Sequence, residues 1–190
     1  LSPKRVRVIP FVEDHRNSLL IQFTQQHSDV VMASIEAALK NAIQVRYQLE
    51  ESELSAEPLP GVANRRLILF YESAEGGAGV LRQLVDDPQA FSSIAREALE
   101  LCHFDPTTGE DQRRAVSARE DCEAACYDCL MSYSNQREHD LLDRQAIRGL
   151  LLQLAKSQVI TAPAEIPRAE HFNQLVRIAG SELEIRWLRW

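Results

Sequence analysis

The sequence has little of several features, and each shortage excludes a class of protein. Its apolar runs, such as residues 67–71, are far shorter than the roughly 20 residues that a membrane-spanning helix needs. The N-terminal residues lack the apolar segment of a secretion signal. Hydrophobic residues make up 45% and charged residues 26% of the 190-residue chain, which excludes disorder throughout. We therefore expect a folded, cytoplasmic protein.

Positive charge is also scarce. The chain has 21 basic and 28 acidic residues, and its net charge is -7. A domain that coats DNA is normally basic, so strong non-specific binding to nucleic acid is not expected. Lysine occurs only at positions 4, 40 and 156, and the other basic residues are arginine. The arginine fork suits phosphate, but a GC-rich coding sequence explains this bias equally well.

Hydrophobic periodicity predicts an α+β fold, in which a small mixed sheet of about three to four strands packs with helices. Strands are predicted at 6–12 and 18–24, as a hairpin, and at 65–71, with burial on both faces. Loops are predicted at 50–61 and, as a mobile insertion, at 103–121. Helices are predicted from the Ser28 cap to about residue 50, after Gly79, from the Asp87 cap to about residue 102, over 127–134, and from the Asp143 cap onward.

The same patterns predict four segments. Residues 1–27 form a hairpin that leads in from an upstream region, and residues 28–157 form the main domain. Residues 158–180 form a linker, which includes two prolines between 161 and 167. Residues 181–190 open like a helix with Ser181 as its N-cap, so we expect a following domain and a longer parent protein.

Four cysteines carry the strongest chemical signal: Cys102, Cys122, Cys126 and Cys129. Three of them, at positions 122, 126 and 129, form a C-x3-C-x2-C cluster. The fourth, Cys102, ends the predicted helix that precedes the insertion. Four thiolates suit a tetrahedral structural zinc site with no open position for catalysis. A zinc knot of this kind is therefore predicted, with one zinc ion per chain.

Other uses of the cysteines remain open at this point. An iron–sulfur cluster also takes four cysteines, whereas disulfides are not expected without a secretion signal. A catalytic cysteine would need a partner base, and none stands out. His103 and His139 lie nearby in sequence, but we keep both outside the ligand set, because a lone histidine beside a metal site is more often an outer residue.

A glycine-rich turn, residues 76–79, follows the third predicted strand and precedes a helix. This order superficially resembles a phosphate cradle. It matches neither G-x-G-x-x-G nor a P-loop, and Glu72 and Glu75 would repel phosphate. A tight turn between strand and helix is the simpler interpretation. No Ser/His/Asp set or acid pair is recognisable as an active site.

Taken together, these motifs resemble the zinc-binding domain near the C-terminus of MrfA-like DEAD/DEAH-box helicases. The resemblance covers roughly residues 29–155. It rests on the strand end at 69–73, the turn at 76–79, the cluster segment at 125–130, and the tail formed by Ser132, Tyr133, Asn135, Gln136, His139 and residues 142–144.

The resemblance implies a non-catalytic accessory domain of an ATP-dependent superfamily 2 DNA helicase. It would brace two upstream RecA-like lobes of the same chain, which bind the ATP, and help to guide DNA. Residues 181–190 resemble the opening of a nuclease-like domain that follows in some relatives. A related domain occurs in partner subunits, so a protein–protein interaction module in a DNA repair or phage-defence complex is the alternative. An independent enzyme that binds a nucleotide at the glycine turn is a third hypothesis.

Any contact with DNA is expected from arginines near the zinc knot. The candidates are Arg113, Arg114, Arg119, Arg137 and Arg144. Acidic residues are their neighbours in sequence, so ion pairing within the chain is the competing interpretation. In either case the isolated chain should bind DNA weakly.

Overall fold

Three strands and the helices packed on them confirm the α+β fold, and the described sheet is antiparallel and not mixed. The computed structural model describes residues 10, 13–74, 77–160 and 168–178. The strands are β1 (Ser18–Gln22), β2 (Leu54–Gly61) and β3 (Asn64–Glu72), in the spatial order β1-β3-β2. The helices are α1 (Asp29–Tyr47), α2 (Val80–Asp86), α3 (Ala90–Leu101), a 3-10 helix (Gln136–Leu141), α4 (Arg144–Leu154) and α5 (Arg168–Ile178).

The central strand β3 has one buried face. Its side chains alternate, and Ile68, Phe70 and Glu72 are buried. Leu67 and Leu69 on the other face are only partly buried, so the prediction of burial on both faces was wrong. In an antiparallel sheet one face commonly packs on the core while the other stays partly solvated.

Strand β2 occupies the segment that the sequence predicted to be a loop. It pairs with β3 from Leu54 opposite Glu72 to Gly61 opposite Asn64, with a register irregularity at Leu59 and Pro60. Proline cannot donate a ladder hydrogen bond, which argues against a central strand. β2 lies at the edge of the three-stranded sheet, where prolines are tolerated.

Helix α1 forms the centre of the core. It packs on β2 and β3, and also on α3 and α4. Buried side chains lie on all sides of its middle turns, as expected for a helix enclosed by other elements. Its small residues let those elements approach closely. The buried residues of α1 are Met32, Ala33, Ser34, Ile35, Ala37, Ala38, Leu39, Ala42 and Ile43.

Two predicted helix caps are confirmed. The side chain of Ser28 accepts a hydrogen bond from Val31 N at 3.4 Å, and Asp143 accepts one from Gln145 N at 2.8 Å. α3 begins at Ala90, later than its predicted cap, although Asp87 still accepts a hydrogen bond from Gln89 N. The predicted helix at 127–134 is wrong. That segment is a series of turns, and a 3-10 helix follows it.

The insertion at 103–121 is held by specific contacts and is not a free loop. Asp105 accepts hydrogen bonds from the backbone of Thr107 and Thr108, and Phe104 pairs with Asp111 in an isolated bridge. Gly109, at φ +73°, packs so closely on α4 that an added Cβ would lie 2.6 Å from Leu152. Local hydrogen bonds therefore order this segment, although its sequence lacks the hydrophobic periodicity of a helix or a strand.

Residues 1–158 form one compact unit and residues 159–190 another. The predicted strand at 6–12 lies outside the described residues except for Pro10, and the helix opening at 181–190 and the prolines at 161–167 lie wholly outside them. α5 occupies part of the predicted linker, where apolar residues at 172, 175 and 176 have helical spacing. The four predicted segments and the three boundaries between them stay predictions.

Candidate metal centre

The first part of the site is the end of α3. After the C-cap Cys102, the chain turns through His103, whose φ is +61°. His103 N donates to Glu100 O at 3.0 Å, and Phe104 N donates to Leu99 O at 2.9 Å. This pair of bonds is a Schellman motif, in which the left-handed position is usually glycine. A histidine in that conformation costs about 1 kcal/mol or more.

The second part is the turn that carries the clustered cysteines. Cys126 O accepts hydrogen bonds from the backbone of Cys129, Leu130 and Met131, at distances between 3.0 and 3.2 Å. Cys126 N points at the sulfur of Cys129, 3.1 Å away. Cys122 is fixed by its own amide, which donates to Arg113 O at 2.7 Å. The turn therefore holds the sulfurs together and offers a backbone donor to one of them.

Four side chains converge where these two parts meet. The donor atoms of His103, Cys122, Cys126 and Cys129 all lie within 4.8 Å of one another. Sγ–Sγ distances are 3.8 Å for Cys122 and Cys129 and 3.5 Å for Cys126 and Cys129. His103 Nε2 lies 3.2 Å from Cys126 Sγ. Sulfurs about 2.3 Å from a tetrahedral zinc ion would be about 3.8 Å apart, so these distances are close to the edges of a zinc tetrahedron.

The donors sit in an environment that suits a cation. Cys122, Cys129 and His103 are buried, and Cys126 is partly exposed. Burial, with neighbouring thiols adding to it, raises the pKa of Cys129 far above its ordinary value. A buried thiol of this kind becomes a ligand only when a bound cation compensates its thiolate charge. Three soft sulfurs and an imidazole suit zinc, and the residues therefore fit the metal.

Cys102, which the sequence analysis placed among the ligands, is not one of those four converging residues. Its side chain is wholly buried in the hydrophobic core at the end of α3. Burial raises the pKa of its thiol to about 12, although Arg144 opposes this shift. The structure thus brings together three of the four predicted cysteines and adds His103, which the sequence analysis had kept outside the ligand set.

His139, the other nearby histidine, is not one of the four converging residues. His139 Nε2 lies 3.0 Å from Asn135 Oδ1 and 3.2 Å from Ser132 O. Its ring also makes an edge contact with Tyr127. The one sequence signal that separates the two histidines is that only His103 directly follows the apolar stripe that ends α3.

Arg144 is the buried hub behind the metal donors. Its guanidinium donates to Cys122 O at 2.8 Å and to Cys102 O at 3.2 Å, and it forms a two-pronged ion pair with Asp111 at 2.8 and 3.1 Å. It also lies over the ring of Phe104. Arg144 is 2% exposed, so it is not accessible to a DNA phosphate. Instead it joins α4 to both parts of the site.

The remaining arginines that were proposed to contact DNA are exposed. Arg113 and Arg114 both face Asp121, at 3.9 and 3.6 Å, so one carboxylate meets two guanidinium groups. The sequence analysis gave ion pairing within the chain as the alternative to DNA contact, and the two contacts with Asp121 agree with that alternative in part. Arg114 and Arg119 line a cleft of about 760 Å³ that opens over His103 and Cys126, whereas Arg137 is exposed farther along the chain.

The glycine turn holds a carboxylate of the chain itself. Buried Glu72 accepts hydrogen bonds from Gly79 N and Leu81 N, both at 2.9 Å, and from Asn17 Nδ2 at 3.2 Å. Burial acts to raise the pKa of Glu72, but the hydrogen bonds that it accepts hold it below its ordinary value. An added Cβ at Gly77 would overlap that carboxylate. The start of α2 therefore has no room for a phosphate, which argues against the nucleotide-enzyme hypothesis.

The fold and this site define a class of protein: an α+β domain in which three cysteines and one histidine form a structural metal knot. The sequence matches the family model of the MrfA Zn-binding domain over residues 35–130, which is half of the chain. The chain therefore belongs to the MrfA zinc-binding domain family. No curated protein and no solved structure matches it. No helix among the described residues is long and apolar enough to cross a membrane.

Proposed function

We propose that this chain is the non-catalytic, zinc-binding accessory module of an ATP-dependent superfamily 2 DNA helicase of the cytoplasm. In this proposal RecA-like lobes elsewhere in the parent protein bind the ATP, and the module braces them and guides a DNA strand. The observation that carries it is a metal knot that provides four donors, and hence no open position for substrate, in a domain of the MrfA family.

The exposed arginines support the DNA part of the proposal. The backbone carbonyl of Arg113 accepts a hydrogen bond from the amide of Cys122, so a residue of the knot positions this arginine. Arg114 NH1 also donates to Arg119 O at 3.1 Å, which ties the two ends of that loop together. Arg113, Arg114 and Asp121 together carry one net positive charge, although Glu120 and Glu123 also line the cleft beside Arg114. A phosphate of single-stranded DNA is a fitting partner for that charge.

The test is a fluorescence-anisotropy titration of single-stranded DNA at two salt concentrations. We expect weak binding by the isolated chain, because its net charge is -7. Each phosphate contact adds roughly 0.7 to the slope of log affinity against log salt. The double variant Arg113→Ala/Arg114→Ala should therefore flatten the slope. Arg82→Ala is the matched control, since Arg82 is exposed and paired with Asp86 on α2.

Binding that is insensitive to salt, or a double variant with the wild-type slope, would contradict the DNA-guiding role. Zinc content should be measured on every variant. A variant that loses DNA affinity but keeps its zinc separates the arginines from the knot.

A second candidate function is a protein–protein interaction module in a DNA repair or phage-defence complex. It is favoured by the acidic net charge and by the outer face of the sheet, where Leu20 is 54% exposed opposite Leu69. An apolar sheet face suits a protein partner better than DNA. Leu20→Ser should weaken assembly with the parent complex and leave DNA affinity unchanged if this function is the correct one.

A further inference from the structure

We propose that His103, in place of Cys102, completes the zinc site, so that the metal has three sulfur ligands and one nitrogen ligand. The inference rests on the zinc-binding part of the proposed function and is independent of its DNA-guiding part. It departs from the four-cysteine site that the sequence predicted.

The first argument is distance. His103 Nε2 lies 3.2 Å from Cys126 Sγ, and a ring nitrogen of His103 lies within 4.8 Å of the sulfurs of Cys122 and Cys129. Cys102 is not one of these mutually close donors. A tetrahedral site needs all four donors close to each other at once, and His103 meets this requirement in the described structure.

The second argument is the backbone. The left-handed position of a Schellman motif favours glycine, yet here it holds His103, and both hydrogen bonds of the motif are made. A side chain is therefore kept where a bare backbone would be easier to accommodate. Because the motif fixes the Cα of His103, the imidazole needs no further ordering of the main chain in order to reach the metal.

The third argument is charge. Zinc with three thiolates carries a net charge of -1, and with four thiolates it carries -2. Arg144 interacts electrostatically with Cys102 and Cys122, but its guanidinium is already paired with Asp111. A neutral imidazole ligand lowers the buried negative charge that remains to be compensated.

X-ray absorption spectroscopy of the zinc-loaded chain is the direct test. We expect three sulfurs at about 2.3 Å and one nitrogen at about 2.0–2.1 Å from the metal. A shell of four sulfurs would overturn the inference while leaving zinc binding and the proposed function intact. Absence of bound zinc would instead refute the zinc-binding part itself.

Variants sharpen the result. Cys102→Ala should keep one zinc and the same mixed shell. His103→Ala should weaken zinc affinity by more than about 100-fold, since loss of an outer partner alone typically costs about 10- to 100-fold. His103→Cys should retain zinc and change the shell to four sulfurs. His139→Ala is the matched control and should match the wild type.

Two outcomes of these variant measurements would contradict the inference. One is a His103→Ala variant with the wild-type shell and affinity. The other is a Cys102→Ala variant that loses one sulfur from the shell. Should Cys102→Ala fail to fold, the spectrum of the wild type alone decides.

Discussion

Two regions of residues 1–158 are stabilised in different ways. Around α1, apolar side chains from the sheet and from α3 and α4 form a continuous core. The zinc knot region, residues 102–142, has few regular elements and is held by turns, a buried arginine and the metal donors. The core is of the kind that hydrophobic burial stabilises by itself. The knot is of the kind that needs a bound ion to fold.

Apolar packing joins the two regions, because buried Phe104, Cys129 and Leu130 belong to the same core as α1, and a few polar contacts add to it. Asn41 on α1 donates to Cys129 O at 2.7 Å, and Ser34 on α1 accepts the amide of Asp143 at 2.8 Å. Arg65 on β3 lies between Glu36 on α1 and Glu138 on the 3-10 helix, at 3.3 and 2.5 Å. We expect damage to the core to unfold the chain, whereas removal of the metal should have effects that stay largely within the knot region.

The largest effect is expected in the core. Phe70→Ala removes a wholly buried ring at the centre of the sheet and should lower the free energy of unfolding by about 3–5 kcal/mol. Denaturant unfolding measures this loss. Zinc content at low denaturant should stay at one ion per chain. If the variant loses its zinc while it is still folded, the two regions are not separable.

A somewhat smaller effect is expected from the hub of the knot. Asp111→Ala leaves Arg144 buried without its carboxylate partner, which costs up to about 3–5 kcal/mol. The matched control is Asp121→Ala, whose exposed ion pairs are worth at most about 1 kcal/mol. The double variant Asp111→Ala/Arg144→Met should recover part of the loss in thermal unfolding. Equal stability of the two single variants would contradict the role given to Arg144.

Asp111 also makes the stability of the fold depend on pH in the acid range. Its hydrogen bonds with Arg144, acting against a smaller effect of burial, lower its pKa from 3.8 to about 2. A carboxyl whose pKa is lowered by folding stabilises the fold above its ordinary pKa. This contribution is lost as pH falls from 3.8 through about 2, and Asp111→Asn should not show it in acid unfolding curves. An Asp111→Asn variant whose acid unfolding curve matches that of the wild type would contradict this contribution of Asp111.

The smallest stability effect is expected at the junction of the two regions. Burial, with Glu138 adding to it and Arg65 opposing it, raises the pKa of Glu36 to about 7. A carboxyl whose pKa is raised by folding stabilises the fold most below its ordinary pKa of 4.5. That contribution is lost as pH rises through about 7. At pH 8, Glu36→Gln should therefore be more stable than the wild type by about 1–3 kcal/mol.

Denaturant unfolding at pH 5 and pH 8 measures this difference for Glu36→Gln. Glu51→Gln, at an exposed turn, is the matched control and should follow the wild type at both pH values. An equal change with pH in the wild type and in Glu36→Gln would show that Glu36 stays ionised beside Arg65.

The core and the zinc knot region also differ in how well the sequence predicts their structure. Helical spacing and caps correctly predicted α1 and the start of α4, because local signals at Ser28 and Asp143 agree with the fold. β2 was missed because Pro58 and Pro60 signal a loop, and only its place at the sheet edge makes a strand acceptable there. Sheet position is a long-range property that local composition does not contain.

Within the site, the cysteine spacing was sufficient to predict a metal knot but not its ligand geometry. His103 joins the donors because α3 ends with Cys102 as its C-cap and His103 itself takes the left-handed conformation, which the cysteine spacing does not reveal. Arg144 was taken for a DNA contact, since the sequence does not show that Asp111 folds back onto it across the insertion. Contacts between residues distant in sequence were the ones that sequence reasoning could not predict.

Hydrogen–deuterium exchange with and without a zinc chelator tests the central claim most directly. We predict that removal of zinc strips protection from the amides of residues 102–142, among them those of Cys122 and Cys129. The amides of α1 and β3 should keep most of their protection, because the apolar core does not depend on the metal. Loss of protection throughout residues 13–158, or an unchanged pattern in the knot, would contradict the account.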